Sequence, residues 1–162
     1  MAQLLKNGAV VADEWTFASD ELDSLASSEK RLISLSQGQQ FAEQLNLEAG
    51  NIGLWLEADS EIETFPELFL NVPIIAIKFT KFVDGRGFSV ARLLRERYQY
   101  KGELRATGDI IRDQLYLLKQ CGFNAFQFND DIDLVQAAES LNDFSDSYQT
   151  STEQPIPLFR RR

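Results

Sequence analysis

Apolar and polar positions follow two different periods along this chain. Short apolar runs at Leu32–Leu35, Ile52–Leu56, Ile74–Phe79, Glu103–Thr107 and Ala125–Phe128 read as strands. Helix-length segments fall between and after them, at Gln39–Asn46, Ile62–Leu70, Ser89–Tyr98, Ile110–Cys121 and Ile132–Leu141. Strands alternating with helices predict an α/β fold, a mostly parallel sheet of about five strands built from βα units. The spacing satisfies both an open flavodoxin-like sheet and a partial (β/α) barrel.

Local signals sharpen several elements. Asn7-Gly8 between apolar residues predicts a small N-terminal hairpin, since both positions tolerate the left-handed backbone of a tight turn. In the segment Ile110–Cys121, Ile111, Leu115, Leu118 and Cys121 share one helical face. Asp109 stands where an N-cap is needed, and Gly122-Phe123 suit a left-handed C-terminal stop with its hydrophobic contact. In the preceding helix, Val90, Leu93, Leu94 and Arg97 form the expected inner stripe, and Arg92 and Glu96 are spaced to pair. Residues 1–143 are expected to form a single α/β domain with its hairpin. Residues 144–162 read as a polar C-terminal tail, in which Pro155 and Pro157 block helix.

Composition narrows the chemistry. Forty-four per cent of the 162 residues are hydrophobic and 12 are Phe, enough for a proper core. With 25 acidic against 16 basic residues the net charge is -9, which disfavours nucleic acid and anionic membrane surfaces as partners. There is no histidine and one cysteine, Cys121. Histidine-based triads, cysteine-ligated clusters and internal dithiol couples are therefore excluded within one chain. No signal-like or membrane-spanning run occurs, so a cytoplasmic location is expected, with no metal and no cofactor.

Two segments at strand ends carry the candidate chemistry. Asp84-Gly85-Arg86-Gly87 follows the third apolar run, and its glycines let backbone approach a bound group closely. Ser89 then stands where an N-cap of the next helix is expected. This loop reads either as a cradle for a small anion, with Arg86 as its clamp, or as a structural turn. In Arg105-Ala106-Thr107-Gly108-Asp109, strand alternation puts Glu103, Arg105 and Thr107 on one face and Leu104, Ala106 and Gly108 on the other. An arginine inside a buried strand must meet a carboxylate or a ligand, and Asp84 is one candidate partner. Lys78 strengthens an anion site if it faces the same way as Arg105. Cys121, Trp15 and Trp55 read as packing residues, and the acidic run Asp130, Asp131 and Asp133 as helix-start capping. The motif lacks the third glycine of a dinucleotide fingerprint, because Val90 stands in its place.

The run Phe79 to Ser89, then Leu93-Leu94-Arg95, Gly102 to Asp109, Asp113-Gln114-Leu115 and Cys121-Gly122-Phe123 resembles an uncharacterised bacterial family (domain of unknown function nine-three-four). Its members are often labelled as oxidoreductases involved in sulfite reduction. The resemblance implies an accessory role in assimilatory sulfite reduction, with sulfite reductase as partner. It transfers no catalytic residue. The family motif maps onto Asp84, Gly85, Arg86, Gly87, Ser89, Arg105, Gly108 and Asp109. The alternative is an enzyme, an oxidoreductase or another, acting on a small anionic substrate at the strand C-terminal rim, with Asp84 or Asp109 as general base.

Overall fold

The computed structural model describes residues 2–22, 28–41, 43, 50–60, 62, 71–81, 85–129 and 132–142. Its strands are β1 (Gln3–Lys6), β2 (Ala9–Ala12), β3 (Thr16–Phe17), β4 (Arg31–Ser34), β5 (Ile52–Glu57), β6 (Ile74–Phe79), β7 (Glu103–Gly108) and β8 (Ala125–Phe128). They join in one sheet of order β2-β1-β8-β7-β6-β5-β4-β3. From β3 to β8 every neighbouring pair is parallel, while β1 is antiparallel to both β8 and β2. The five apolar runs all form strands. Among the described residues the sheet has eight strands rather than about five, because the hairpin β1–β2 extends it beyond β8 and Thr16–Phe17 adds to β4. Two residues are too few for an alternation to show in sequence.

The strand order follows the chain from β3 to β8 without a reversal, whereas a flavodoxin-like sheet changes direction. Right-handed crossovers taken always in one direction put the helices on one face. The connection from β2 to β3 shows how far the sheet curls. These strands are its two edges, seven strand spacings apart, roughly 34 Å in a flat sheet at about 4.8 Å each. Only Asp13, Glu14 and Trp15 join them. The four residue steps from Ala12 to Thr16 reach at most about 14 Å. The edges therefore approach one another, and the sheet is a curled, partial barrel with those three residues as a strap.

The helix-side core holds Leu54 and Leu56 of β5, Ile75, Ile77 and Phe79 of β6, Leu104 and Ala106 of β7 and Phe126 of β8. It is completed by α2 (Arg86–Arg92) with the π-turn Leu93–Arg97 that continues it, α3 (Leu115–Gln120) and α4 (Leu134–Asn142), through Val90, Ala91, Leu94, Leu115, Leu118, Ala137 and Leu141. A smaller cluster of Leu32, Ile74 and Ala76 lies on the opposite, inner face, with Trp15 and Trp55 packed against it. Both tryptophans are thus packing residues, as expected.

Helix boundaries moved where capping chemistry decided them. Helix α1 (Leu35–Gln40) starts directly after β4, because Ser34 and Gln37 form a reciprocal capping box. Half of the segment Gln39–Asn46, all of Ile62–Leu70 but Ile62, and the tail 144–162 lie outside the described residues. Helix α2 begins at Arg86 with Gly85 as N-cap, so Ser89 sits inside the helix rather than capping it. It widens into a π-turn over Leu93–Arg97 that ends with the Tyr98 N–H donating to the Leu93 carbonyl. The expected Arg92–Glu96 pair is present at 3.5 Å.

Asp109 does not cap α3. Its N–H donates to the Phe79 carbonyl, the chain bends there with the Ile110 N–H donating to the Gly108 carbonyl, Ile111 is extended, and a 3-10 turn over Arg112–Gln114 leads into the helix. The C-terminal stop is as expected: Gly122 is left-handed, and the N–H groups of Gly122 and Phe123 donate to the carbonyls of Lys119 and Leu118. Asn7 and Gly8 are both left-handed in the hairpin turn. Asp133 accepts from the Gln136 N–H at the start of α4, while Asp130 and Asp131 lie outside the described residues.

Cys121 is buried on the apolar face of α3. Burial pushes its thiol pKa up, against the opposing influence of Arg92. A raised folded pKa stabilises the fold below the thiol's ordinary value, and that contribution is lost as pH rises through the folded value. Native protein at pH 8 should therefore leave an aromatic disulfide reagent unreacted and consume one equivalent when unfolded in urea. Rapid reaction of the native protein would contradict this burial.

Candidate functional site

On the inner face, the register sets residues of adjacent strands in rows. Glu57, Lys78, Thr107 and Gln127 stand side by side on β5, β6, β7 and β8. One step closer to the strand starts on this face come Trp55, Ala76, Arg105 and Ala125. All alternate with the apolar residues of the helix-side core, which settles their direction. The first row is at the C-terminal ends of the parallel strands, the end at which barrel folds place ligands.

Lys78 therefore faces the same way as Arg105, the condition set for it by the sequence. Its ammonium lies 5.4 Å from the centre of the Trp55 ring, within cation–π reach. No carboxylate among the described residues is in ion-pair contact with it, although Glu57 is its neighbour in the row. Phe17 closes the edge of this platform, its ring at 73° to that of Trp55 with centroids 6.0 Å apart. Beside Lys78, Thr107 Oγ1 donates to Gln127 Oε1 at 3.4 Å. The same oxygen accepts from Arg105 Nη1 at 3.5 Å, so the amide oxygen is turned inward. The Gln127 NH2 group meets no acceptor among the described residues. An ammonium, an amide NH2 and an aromatic ring thus share one mouth.

Below the mouth, Arg105 is 2% exposed. Its Nε donates to Glu103 Oε1 at 2.9 Å and its Nη1 to Asp13 Oδ1 at 3.0 Å. Asp13 Oδ1 also accepts from the Trp15 N–H, and Glu103 Oε2 pairs with Lys6 Nζ at 2.7 Å. The buried arginine does meet carboxylates, but they are Asp13 on the strap and Glu103 on its own strand. Asp84, the partner suggested by sequence, lies outside the described residues.

The remaining motif residues divide by role. Arg86 is largely exposed and pairs with Asp59 at 3.8 Å. A Cβ on Gly87 would stand 2.5 Å from the Phe79 ring, so this glycine lets α2 close on β6. Gly108 is left-handed at φ 94° and passes against the Phe79 backbone. Gly85 has open space around its Cα, and Ser89 is exposed on α2. The structure thus separates the Arg86 loop on the rim from Arg105 in the interior. Sequence reasoning missed Asp13, Glu57 and Gln127; strand alternation alone places Thr107 beside Arg105.

The family model described as a bacterial protein of unknown function, DUF934, matches residues 53–159, more than half of the chain. No curated protein and no solved structure matches it.

Proposed function

We propose that this chain, which belongs to the bacterial family DUF934, is an accessory protein of assimilatory sulfite reduction that handles a small oxyanion at the mouth of its sheet. The pathway rests on the family resemblance described from sequence. The chemistry rests on one observation: the Lys78 ammonium stands at the C-terminal ends of the parallel strands, outside any ion pair among the described residues.

A lysine there offers three donors and a full charge to a small oxyanion. The Gln127 amide adds donors from two places along the row, beyond Thr107, and the Trp55 ring limits where the ammonium can swing. The chain's one cysteine and lack of histidine deny it a cysteine-ligated cluster or a dithiol of its own, which favours an accessory role beside sulfite reductase.

Titration with sulfite by calorimetry tests the site. Lys78→Ala should weaken binding at least tenfold, about 1.4 kcal/mol, without changing the unfolding midpoint. Equal binding by wild type and Lys78→Ala would remove Lys78 from the site. Growth of a deletion strain on sulfide but not on sulfate or sulfite would support the pathway, and normal growth on all three would overturn it. Turnover of sulfite by the isolated protein would favour the enzyme reading instead.

A further inference from the structure

The guanidinium of Arg105 carries five N–H donors. Nε and Nη1 are engaged by Glu103, Asp13 and Gln127, while Nη2 meets no acceptor among the described residues. Yet the side chain is 2% exposed. The residue also lines a half-open pocket of about 350 Å³ on the inner face, together with Lys6, Glu103, Glu14, Trp15 and Leu4. Two donors of a buried guanidinium and a second cationic side chain thus border a space of small-molecule size.

Charge decides what can enter. Arg105 and Lys6 are balanced by Asp13 and Glu103, and Glu14 of the lining is paired with Lys30, so the cluster is neutral as it stands. An added anion would be buried without compensation, which is costly. It can enter only if a carboxylate leaves. Glu103 is fixed in β7 and held by both Lys6 and Arg105. Asp13 belongs to the strap, whose polar ties besides the Arg105 pair are the Asp13 N–H to the Ala2 carbonyl, Trp15 N–H to Asp13 itself, Glu14 to Lys30 and the Lys30 ammonium 6.0 Å from the Trp15 ring.

We infer that Asp13 occupies the place of a ligand, and that a small oxyanion, carboxylate or sulfite-like, binds Arg105 by displacing it. The exchange leaves the cavity's charge unchanged for a monoanion. It turns Asp13 outward and lifts the adjoining Trp15 from Leu32, Ile74 and Ala76, opening the cavity from the strap side. The site is distinct from the mouth at Lys78 and does not depend on it.

The test compares the thermal midpoint in sodium acetate and sodium sulfite with that in sodium chloride at matched ionic strength. Asp13→Asn should respond to either oxyanion at concentrations at least tenfold lower than wild type. In a Lys78→Ala background, which removes the mouth, the response of Asp13→Asn should survive, and in that background it should vanish when Arg105→Gln is added. Equal responses of Asp13→Asn and wild type, or persistence without Arg105, would overturn the assignment. If Asp13→Asn fails to fold, Trp55→Phe isolates the Trp15 emission in an otherwise native chain. Acetate should then shift that emission to the red where chloride does not, and no shift would overturn displacement of the strap.

Discussion

Replacing Arg105 with alanine should lower stability by about 3–5 kcal/mol, the usual cost of breaking a buried ion pair from one side. The substitution leaves the Asp13 carboxylate, 4% exposed, facing a void, and removes one of the two cations that hold Glu103. Uncompensated buried charge, more than lost packing, sets the size of this effect. Adding Asp13→Asn should therefore recover part of the loss, because the two residues act as a unit and their effects are not additive. Urea denaturation of the two single variants and the double variant measures this coupling. A loss below about 1 kcal/mol for Arg105→Ala would mean that the pair is solvated and the inner face open. Strict additivity would mean that Asp13 and Arg105 do not interact in solution.

Gly108→Ala should be comparably damaging for a different reason. Gly108 ends β7 at φ 94°, a conformation that costs an L-residue roughly 1–2 kcal/mol by itself. The added Cβ would also overlap the Phe79 carbonyl oxygen and stand 3.1 Å from the Phe79 nitrogen. Backbone atoms cannot swing aside like a flexible side chain. Relief requires β6 and β7 to part where the Asp109 N–H donates to Phe79 at 2.7 Å. We expect a loss of at least about 2 kcal/mol, seen as a lower urea midpoint at an unchanged slope. Gly85→Ala is the matched control, since nothing lies within 4 Å of its would-be Cβ. It should be neutral or stabilise by a few tenths of a kcal/mol, as glycine replacement does where the backbone permits. Equal effects of the two substitutions would refute this division of the motif's glycines into fitted and open positions.

Much of this was legible in sequence, and the reason differs by feature. The five βα strands and the Gly122 stop are written in consecutive residues, so local rules reach them. Alternation likewise told that Glu103, Arg105 and Thr107 share a face, and burial cost told that such an Arg105 needs a carboxylate or a ligand. The identity of that carboxylate was not legible, because Asp13 is 92 positions away and meets Arg105 only once the sheet has curled. The row Glu57, Lys78, Thr107 and Gln127 was hidden for a related reason. Alternation assigns a residue to a face but says nothing about which residues of neighbouring strands come level, and the register decides that. Asp109 misled because it is a good capping residue in an unsuitable place. The bend after Gly108 takes its N–H for Phe79, and Ile111 beyond it is extended, so no helix starts there.

The sheet's topology also bears on how the protein is made. The hairpin β1–β2 leaves the ribosome before the other strands of its sheet, but its partner in the sheet is β8, with Leu5 aligned to Phe126 and Lys6 to Ala125. Nearly the whole domain must be translated before that pairing can form. Until then Leu4 and Leu5, both fully buried in the finished fold, stay in the solvent. Such distant pairing is paid in loop entropy and slows folding. The nascent chain therefore carries an open strand edge through most of its synthesis, and its passage to the native state falls after translation of β8 rather than during it.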